Sequence, residues 1–104
     1  MHHTTHHWSV GAALLAAAAL AQAQDPHQGR NLAATCANCH GTNGVARGEM
    51  KPLAGLPADR IVASLAAFKS GAQSGTIMQQ IVKGYTDEQI RLVAAYFAAQ
   101  PGAK

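Results

Sequence analysis

Apolar residues downstream of residue 26 recur every three or four positions, which is the spacing of one face of an α-helix. No convincing strand pattern interrupts them. The pattern therefore predicts an all-α domain of about four helices, over residues 27–38, 57–70, 76–83 and 87–99. The apolar faces predicted for the first, second and last of these helices are Leu32, Ala33 and Cys36; Ile61, Val62, Leu65 and Phe68; and Ile90, Val93, Ala94 and Phe97.

The ends of these helices carry local signals. Pro57 stands where the second helix begins, and Gly71 follows its last residue. Thr86 and Gln89 have the spacing of a capping box at the start of the last helix. Residues 41–56 contain four glycines and a proline, and they predict an irregular loop. A loop of this length in a small domain is usually functional, and here it can wrap a bound group.

The beginning of the chain predicts an export signal. Residues 10–20 form an apolar run that is too short to span a bilayer comfortably, and Ala21-Gln22-Ala23 has the small-x-small pattern of a cleavage site. We therefore predict a signal peptide over residues 1–23, a mature domain over residues 24–104, and a periplasmic location with no stable membrane span in the mature form. The alternatives are an uncleaved membrane anchor and metal binding by the histidines at positions 2, 3, 6 and 7.

Residues 36–40 read Cys-Ala-Asn-Cys-His, the C-x-x-C-H attachment motif of a c-type haem. Cys36 and Cys39 lie on one helical turn and can bond to the two vinyl groups of the haem, while His40 supplies an axial ligand to the iron. The motif occurs once and predicts one covalent haem c. The alternatives are a thiol–disulfide redox pair, which expects a βαβ context, and half of a zinc site, which needs a second pair of ligands. No Cys or His follows His40.

The composition limits both the partners and the size of the core. The net charge of +3, from eight basic and five acidic residues, is too mild to predict binding to nucleic acid. A mature domain of this size buries a modest core and usually needs a further stabilising element. A covalently held haem is a large apolar body that can supply that element.

The sixth ligand of the iron is expected to be a methionine. A thioether ligand suits an electron carrier because it raises the reduction potential, whereas an open position suits a gas sensor or a catalyst. Met78 is the preferred candidate, since it is distant enough along the chain from His40 to fold over the opposite face of the haem. Met50 and His27 are alternatives, and each methionine could instead fill space in the core.

With these residues, the mature chain resembles a class I cytochrome c. It looks most like the cytochrome subunit of flavocytochrome c sulfide dehydrogenase and the haem domains of cytochrome c4. Gly29 and Tyr96 are similar to the residues at which the family's first and last helices cross, and residues 78–90 resemble its methionine-ligand segment. The resemblance implies a small all-α fold wrapped around one haem, with His40 and Met78 as the axial ligands.

The narrower likeness to the sulfide dehydrogenase subunit includes residues 53–57, 68–71 and 83–87, which read LAGLP, FKSG and KGYTD. The chain departs from the family at Lys51, where the family usually has a proline two residues before a leucine. The carbonyl of that proline accepts a hydrogen bond from the axial histidine, so the acceptor for His40 is left open by the sequence.

The resemblance implies single-electron transfer, with a redox protein as the partner. In its narrower form the partner is a flavoprotein subunit that oxidises sulfide, and this chain alone catalyses no reaction. A free soluble shuttle between periplasmic redox enzymes is the alternative, and a gas sensor or a peroxidase-like catalyst is a third possibility that needs Met78 to be absent or labile. A charged docking ring, which would suit a shuttle, could comprise Arg47, Lys51, Lys69 and Lys83, although an ordinary solvated surface also explains these residues.

Overall fold

The regular structure of this chain is helical, as the apolar pattern predicts. The computed structural model describes residues 25–75 and 77–102, so the predicted signal peptide and Thr76 lie outside the described residues. Within them there is no strand, and no helix is long and apolar enough to cross a membrane. The α-helices are α1 (Gln28–Ala33), α2 (Ala37–His40), α3 (Ala58–Ser70), α4 (Met78–Val82) and α5 (Asp87–Ala98), and 3-10 turns cover Ala34–Cys36 and Thr42–Gly44.

The first predicted helix differs from expectation in its winding and in its end. The helical path continues to His40 rather than stopping at residue 38, and it tightens into a 3-10 turn at Ala34–Cys36. No proline or glycine marks that turn, so the spacing of apolar residues gives no sign of it. The consequence is that Cys36 ends the tightened turn, whereas Cys39 lies in the separate short helix α2.

The two long helices, α3 and α5, begin and end close to the predicted positions. Pro57 caps α3 with a φ of −57°, and Gly71 ends the helix in the left-handed conformation, its N–H donating to the carbonyl of Phe68. At the start of α5 the Thr86 hydroxyl accepts from the Gln89 N–H at 3.1 Å, and the Gln89 side chain accepts from the Thr86 N–H at 2.9 Å. The predicted capping box is therefore confirmed.

The core lies where α1 and α3 pack against α5. Its buried members include one residue from α1, one from α3 and three from α5, and half-buried apolar side chains surround them. All four residues predicted for the apolar face of α5 are buried, which confirms that face. The buried cluster consists of Ala33, Ile61, Val93, Ala94 and Phe97.

The loop predicted over residues 41–56 returns to the end of α5. The Gly44 carbonyl accepts from the N–H groups of Leu53 at 2.9 Å and Ala54 at 3.1 Å, which closes the loop on itself. The Gly55 N–H then donates to the Phe97 carbonyl at 2.9 Å. These bonds fix an otherwise irregular segment against the core.

The crossing of α1 and α5 depends on the absence of a side chain at Gly29. A Cβ atom there would lie 2.8 Å from the Leu92 carbonyl oxygen and 3.4 Å from the Cβ of Tyr96. The crossing predicted for Gly29 and Tyr96 is therefore confirmed, and the close contact joins two helix backbones that cannot relax by moving a flexible side chain.

We expect Gly29→Ala to lower the free energy of unfolding by about 1–3 kcal/mol, because the added methyl group overpacks the crossing and outweighs the gain in helix propensity. Thermal unfolding of the haem-loaded protein, followed by circular dichroism, measures the change. Gly84→Ala is the control, since a Cβ atom at Gly84 would meet only the Ile81 carbonyl at 3.5 Å. Equal melting temperatures for the two variants would contradict the role of Gly29.

Candidate haem site

Cys36 and Cys39 occupy the junction between the 3-10 turn and α2. They are three positions apart in a helical path, which places both thiols on the same side of it. Cys36 is half-buried and Cys39 is exposed, and no disulfide joins them. The pair therefore presents two thiols along one edge of the domain, as attachment to a flat group requires.

The environment of Cys36 is unlike that of a reactive redox thiol. Burial raises the pKa of the Cys36 thiol above its ordinary value, although hydrogen bonds from the Thr35 side chain and from the Cys36 backbone act in the opposite direction. The attacking cysteine of a C-x-x-C redox pair has a lowered pKa, because the thiolate is its nucleophile. The direction of the Cys36 pKa shift is therefore the opposite of the one expected for the redox-pair alternative.

His40 ends α2 and is held by a backbone acceptor in the loop. Its Nδ1 lies 2.8 Å from the carbonyl oxygen of Lys51. A carbonyl can only accept, so Nδ1 carries a proton, and in the neutral imidazole the lone pair is then on Nε2. The imidazole is therefore fixed in orientation and in the tautomer that can bind a metal through Nε2.

This contact answers the question that the sequence leaves open at Lys51. The acceptor is the main-chain oxygen of the residue that stands where the family usually has a proline. Because the hydrogen bond uses no side-chain atom of residue 51, a lysine can replace the proline without removing the acceptor. The loop must still bring this carbonyl back to α2.

Gly41 makes the return of the loop possible. It follows His40 directly, with a φ of +82°, and a Cβ atom there would lie 1.9 Å from the carbonyl oxygen of Val45. Only glycine adopts this conformation readily and leaves space for that carbonyl. The chain can therefore reverse immediately after the histidine and pass Lys51 beside its ring.

Met78 comes from a different part of the fold. It is the first residue of α4, it is half-buried, and α4 packs against α3. Met50, the alternative, lies in the loop and is 44 % exposed. His27, the other alternative, is exposed just before α1, where its backbone N–H donates to the Asp25 carboxylate.

The residues around these groups fit a haem. The donor set comprises two unbridged thiols, an imidazole with Nε2 available, and a thioether on another segment. Ile77 directly precedes α4 and Ile81 lies on it, and they are 58 % and 38 % exposed, so they can cover an apolar ring. Within residues 25–75 and 77–102, no three His, Cys, Asp or Glu side chains are grouped to hold a metal ion by themselves.

Tyr85 is a residue of this site that the apolar pattern did not single out. Its hydroxyl lies 2.7 Å from the Thr35 hydroxyl and 3.1 Å from the Leu32 carbonyl oxygen. It thus connects the segment after α4 with the end of α1 and with the turn that ends at Cys36. The KGYTD segment quoted for the resemblance contains Tyr85, but that segment does not indicate which residues its hydroxyl contacts.

Lys69 is engaged in the same region rather than free on the surface. Its Nζ donates to the Tyr85 carbonyl at 2.6 Å and lies 3.6 Å from the Asp87 carboxylate. The predicted ring of cationic residues therefore has one member whose ammonium group is already satisfied by neighbours.

Comparison with known proteins also points to a haem-binding domain. The family model described as Cytochrome c matches residues 26–100. The chain is 39 % identical over 70 residues to the cytochrome subunit of sulfide dehydrogenase from Chlorobaculum tepidum, which covers 67 % of this chain and 64 % of that protein. It is 39 % identical over 104 residues to the thiosulfate dehydrogenase electron acceptor of Stutzerimonas stutzeri, covering 91 % of this chain and 48 % of the relative.

A third relative is comparable in length to the matched region. Cytochrome c-554(548) of Halomonas halodenitrificans is 33 % identical over 82 residues, which cover 75 % of this chain and 99 % of that protein. By contrast, the chain spans less than two thirds of the length of the first two relatives.

We expect Lys51→Ala to leave the visible spectrum of the haem-loaded protein unchanged and to alter the free energy of unfolding by about 0.5 kcal/mol or less, because the acceptor for His40 is a main-chain atom and the lysine side chain is exposed. Absorption spectra in both oxidation states and a denaturant titration measure these quantities. A changed ligand spectrum would mean that the lysine side chain, and not its carbonyl, holds the histidine.

Proposed function

We propose that this chain, which belongs to the cytochrome c family, transfers single electrons with His40 and Met78 as the two axial ligands of its haem. Family membership establishes a c-type cytochrome with one covalently bound haem c, and electron transfer as its function. We assign Cys36 and Cys39 as the attachment residues, since these are the two cysteines of the chain. The axial ligands, the location and the partner are further parts of the proposal.

The hydrogen bond from His40 to Lys51 is the observation that supports this assignment best. An imidazole whose Nδ1 is already donating can bind iron only through Nε2, and it cannot rotate without losing the bond. A ligand held in this way keeps the same position in both oxidation states. Little rearrangement then accompanies each electron, which favours fast transfer.

Met78 completes the proposed ligand pair. Haem c supplies an iron that takes up and releases one electron, and a thioether ligand raises its potential. Met78 is half-buried at the head of a helix, whereas Met50 projects from a loop with 44 % of its surface exposed. The more constrained methionine is the better ligand, because less conformational freedom is lost when it binds.

We expect Met78→Ala to abolish the near-infrared charge-transfer absorbance of a methionine–ferric iron bond, to lower the reduction potential and to allow carbon monoxide to bind the reduced protein. The reason is that the iron would lose its proposed sixth ligand and have an open position. Met50→Ala is the matched control and should retain the absorbance. Loss of the absorbance in Met50→Ala alone would transfer the assignment to Met50.

We infer an exported protein whose partner is a redox enzyme. The names of two relatives describe a subunit of sulfide dehydrogenase and an electron acceptor of thiosulfate dehydrogenase. By analogy, we propose that this chain accepts electrons in the periplasm from a sulfide-oxidising flavoprotein. The predicted signal peptide over residues 1–23 supports export.

A free shuttle is the second candidate, and two observations favour it. The matched region covers 99 % of a small cytochrome, so a domain of this size exists as a complete protein in a relative. Arg47, Lys51 and Lys83 are also exposed and could guide weak, fast docking to an acidic partner. Lys69 contributes less to such docking, because its ammonium group is paired within the domain.

Untagged purification from the native host separates these two candidates. If the chain is a stable subunit, haem and flavin absorbance should co-elute from a sizing column at a constant ratio, and added sulfide should reduce the haem in those fractions. Haem eluting alone at the size of one small domain would contradict the subunit proposal and support the shuttle.

A further inference from the structure

We propose that Tyr85 is the positioning residue that holds the Met78 segment against the haem-attachment turn. The inference rests on the ligation by His40 and Met78 proposed above. It assigns a role to the Tyr85 hydroxyl, which touches neither proposed ligand and acts through the backbone segments that carry them.

The Tyr85 hydroxyl makes two hydrogen bonds to the segment that precedes Cys36. It donates its single proton to the Leu32 carbonyl at 3.1 Å, so it accepts from the Thr35 hydroxyl at 2.7 Å. Thr35 lies in the tightened turn between α1 and α2, and Leu32 lies near the end of α1. The tyrosine is thus bound to the backbone and to a side chain directly beside the first attachment cysteine.

A stiff connection links Tyr85 back to Met78. The intervening residues are helix α4 and a tight turn, in which the Gly84 N–H donates to the Ile81 carbonyl and the Tyr85 N–H donates to the Val82 carbonyl at 3.0 Å. Val82 is 2 % exposed and anchors this short helix in the interior. Movement of Tyr85 would therefore carry the methionine with it.

The backbone of Tyr85 is held from the other side by α3. The Lys69 ammonium group donates to the Tyr85 carbonyl at 2.6 Å and lies 3.6 Å from the Asp87 carboxylate. The ring of Tyr85 also packs against the core cluster. The residue is consequently fixed at its main chain, its ring and its hydroxyl, and each contact belongs to a different neighbour.

In the part of the chain that the structure describes, few other hydrogen bonds connect the attachment segment with the Met78 segment. Helix α1, which leads into the attachment turn, packs principally on α5, and α4, which begins with Met78, packs on α3. The two segments therefore have different main supports. Among the hydrogen bonds of the described residues, those made by side chains between residues 28–40 and residues 77–87 both end at the Tyr85 hydroxyl. Removing that hydroxyl should therefore loosen the Met78 segment before it loosens the core.

The test uses the haem-loaded Tyr85→Phe protein, which keeps the ring and loses both hydrogen bonds. In the ferric state, imidazole competes with a methionine ligand for iron, and the loss of the methionine–iron absorbance reports the displacement. We expect imidazole to displace the methionine at about tenfold lower concentration, as the loss of two ordinary hydrogen bonds predicts. Thr35→Val removes one of the two bonds and should give a change of about threefold.

Tyr96→Phe is the matched control. The Tyr96 hydroxyl donates to the side chain of Asn43, in the turn that follows α2, and the Tyr96 Cβ lies beside Gly29 at the crossing of α1 and α5. Neither of these neighbours belongs to the Met78 segment. A general loss of stability would ease displacement in both tyrosine variants, whereas the proposed role predicts a change for Tyr85→Phe alone. Unfolding midpoints of all three variants measure that general loss independently.

Each outcome decides one of the two proposals. Unchanged displacement in Tyr85→Phe and Thr35→Val, or an equal change in Tyr96→Phe, would overturn the positioning role while leaving the ligand assignment intact. Absence of the methionine–iron absorbance from the unsubstituted ferric protein would overturn the His40 and Met78 ligation, and the role of Tyr85 with it.

Discussion

The hydrogen bond from His40 Nδ1 to the Lys51 carbonyl is the contact on which the geometry of the site depends. It requires the chain to reverse directly after α2, which Gly41 allows through its positive φ. It also requires the loop to be closed, and the bonds from Leu53 and Ala54 to the Gly44 carbonyl achieve this. An irregular loop thereby becomes a rigid support for one imidazole ring, and the attachment turn and the loop cannot be positioned independently of each other.

The small core explains why a covalent haem suits this fold. The buried apolar residues of the described chain are eight, and three of them are alanines. Domains of this size have little stability in reserve, because the apolar surface they bury barely exceeds the conformational entropy they lose. Several large side chains, including Ile77 and Ile81, remain substantially exposed in the protein alone. A flat apolar group would take that surface out of water, so cofactor binding and stability are coupled in this domain.

The sequence was sufficient to predict helices whose ends carry local capping signals. It was insufficient to predict contacts between residues that are far apart along the chain. Thr86 and Gln89 predict the start of α5, because both residues of a capping box lie within four positions of the sequence. The role of the Lys51 carbonyl does not depend on the identity of the side chain at this position, so only the folded structure identifies this carbonyl as the acceptor for His40. Tyr85 likewise reaches Thr35 across 50 positions, and apolar periodicity contains no information about a hydroxyl at the end of a half-buried ring. The attachment motif itself was readable since its chemistry needs adjacent residues.

The residues proposed to bind the haem iron are different from the exposed residues that a redox partner could contact. The groups proposed to hold the iron are oriented by contacts inside the domain, such as the one between His40 and Lys51. Docking instead depends on exposed groups, and these can change without disturbing the inward contacts. The names of the relatives differ in this respect: one is named a dehydrogenase subunit, another an electron acceptor and a third simply a cytochrome. Even the internal contacts influence the surface, because the Lys69 ammonium group is held by the Tyr85 carbonyl and its charge is partly offset by the Asp87 carboxylate. The identity of the partner must therefore be sought in the remaining exposed charges and apolar side chains rather than in the ligand set.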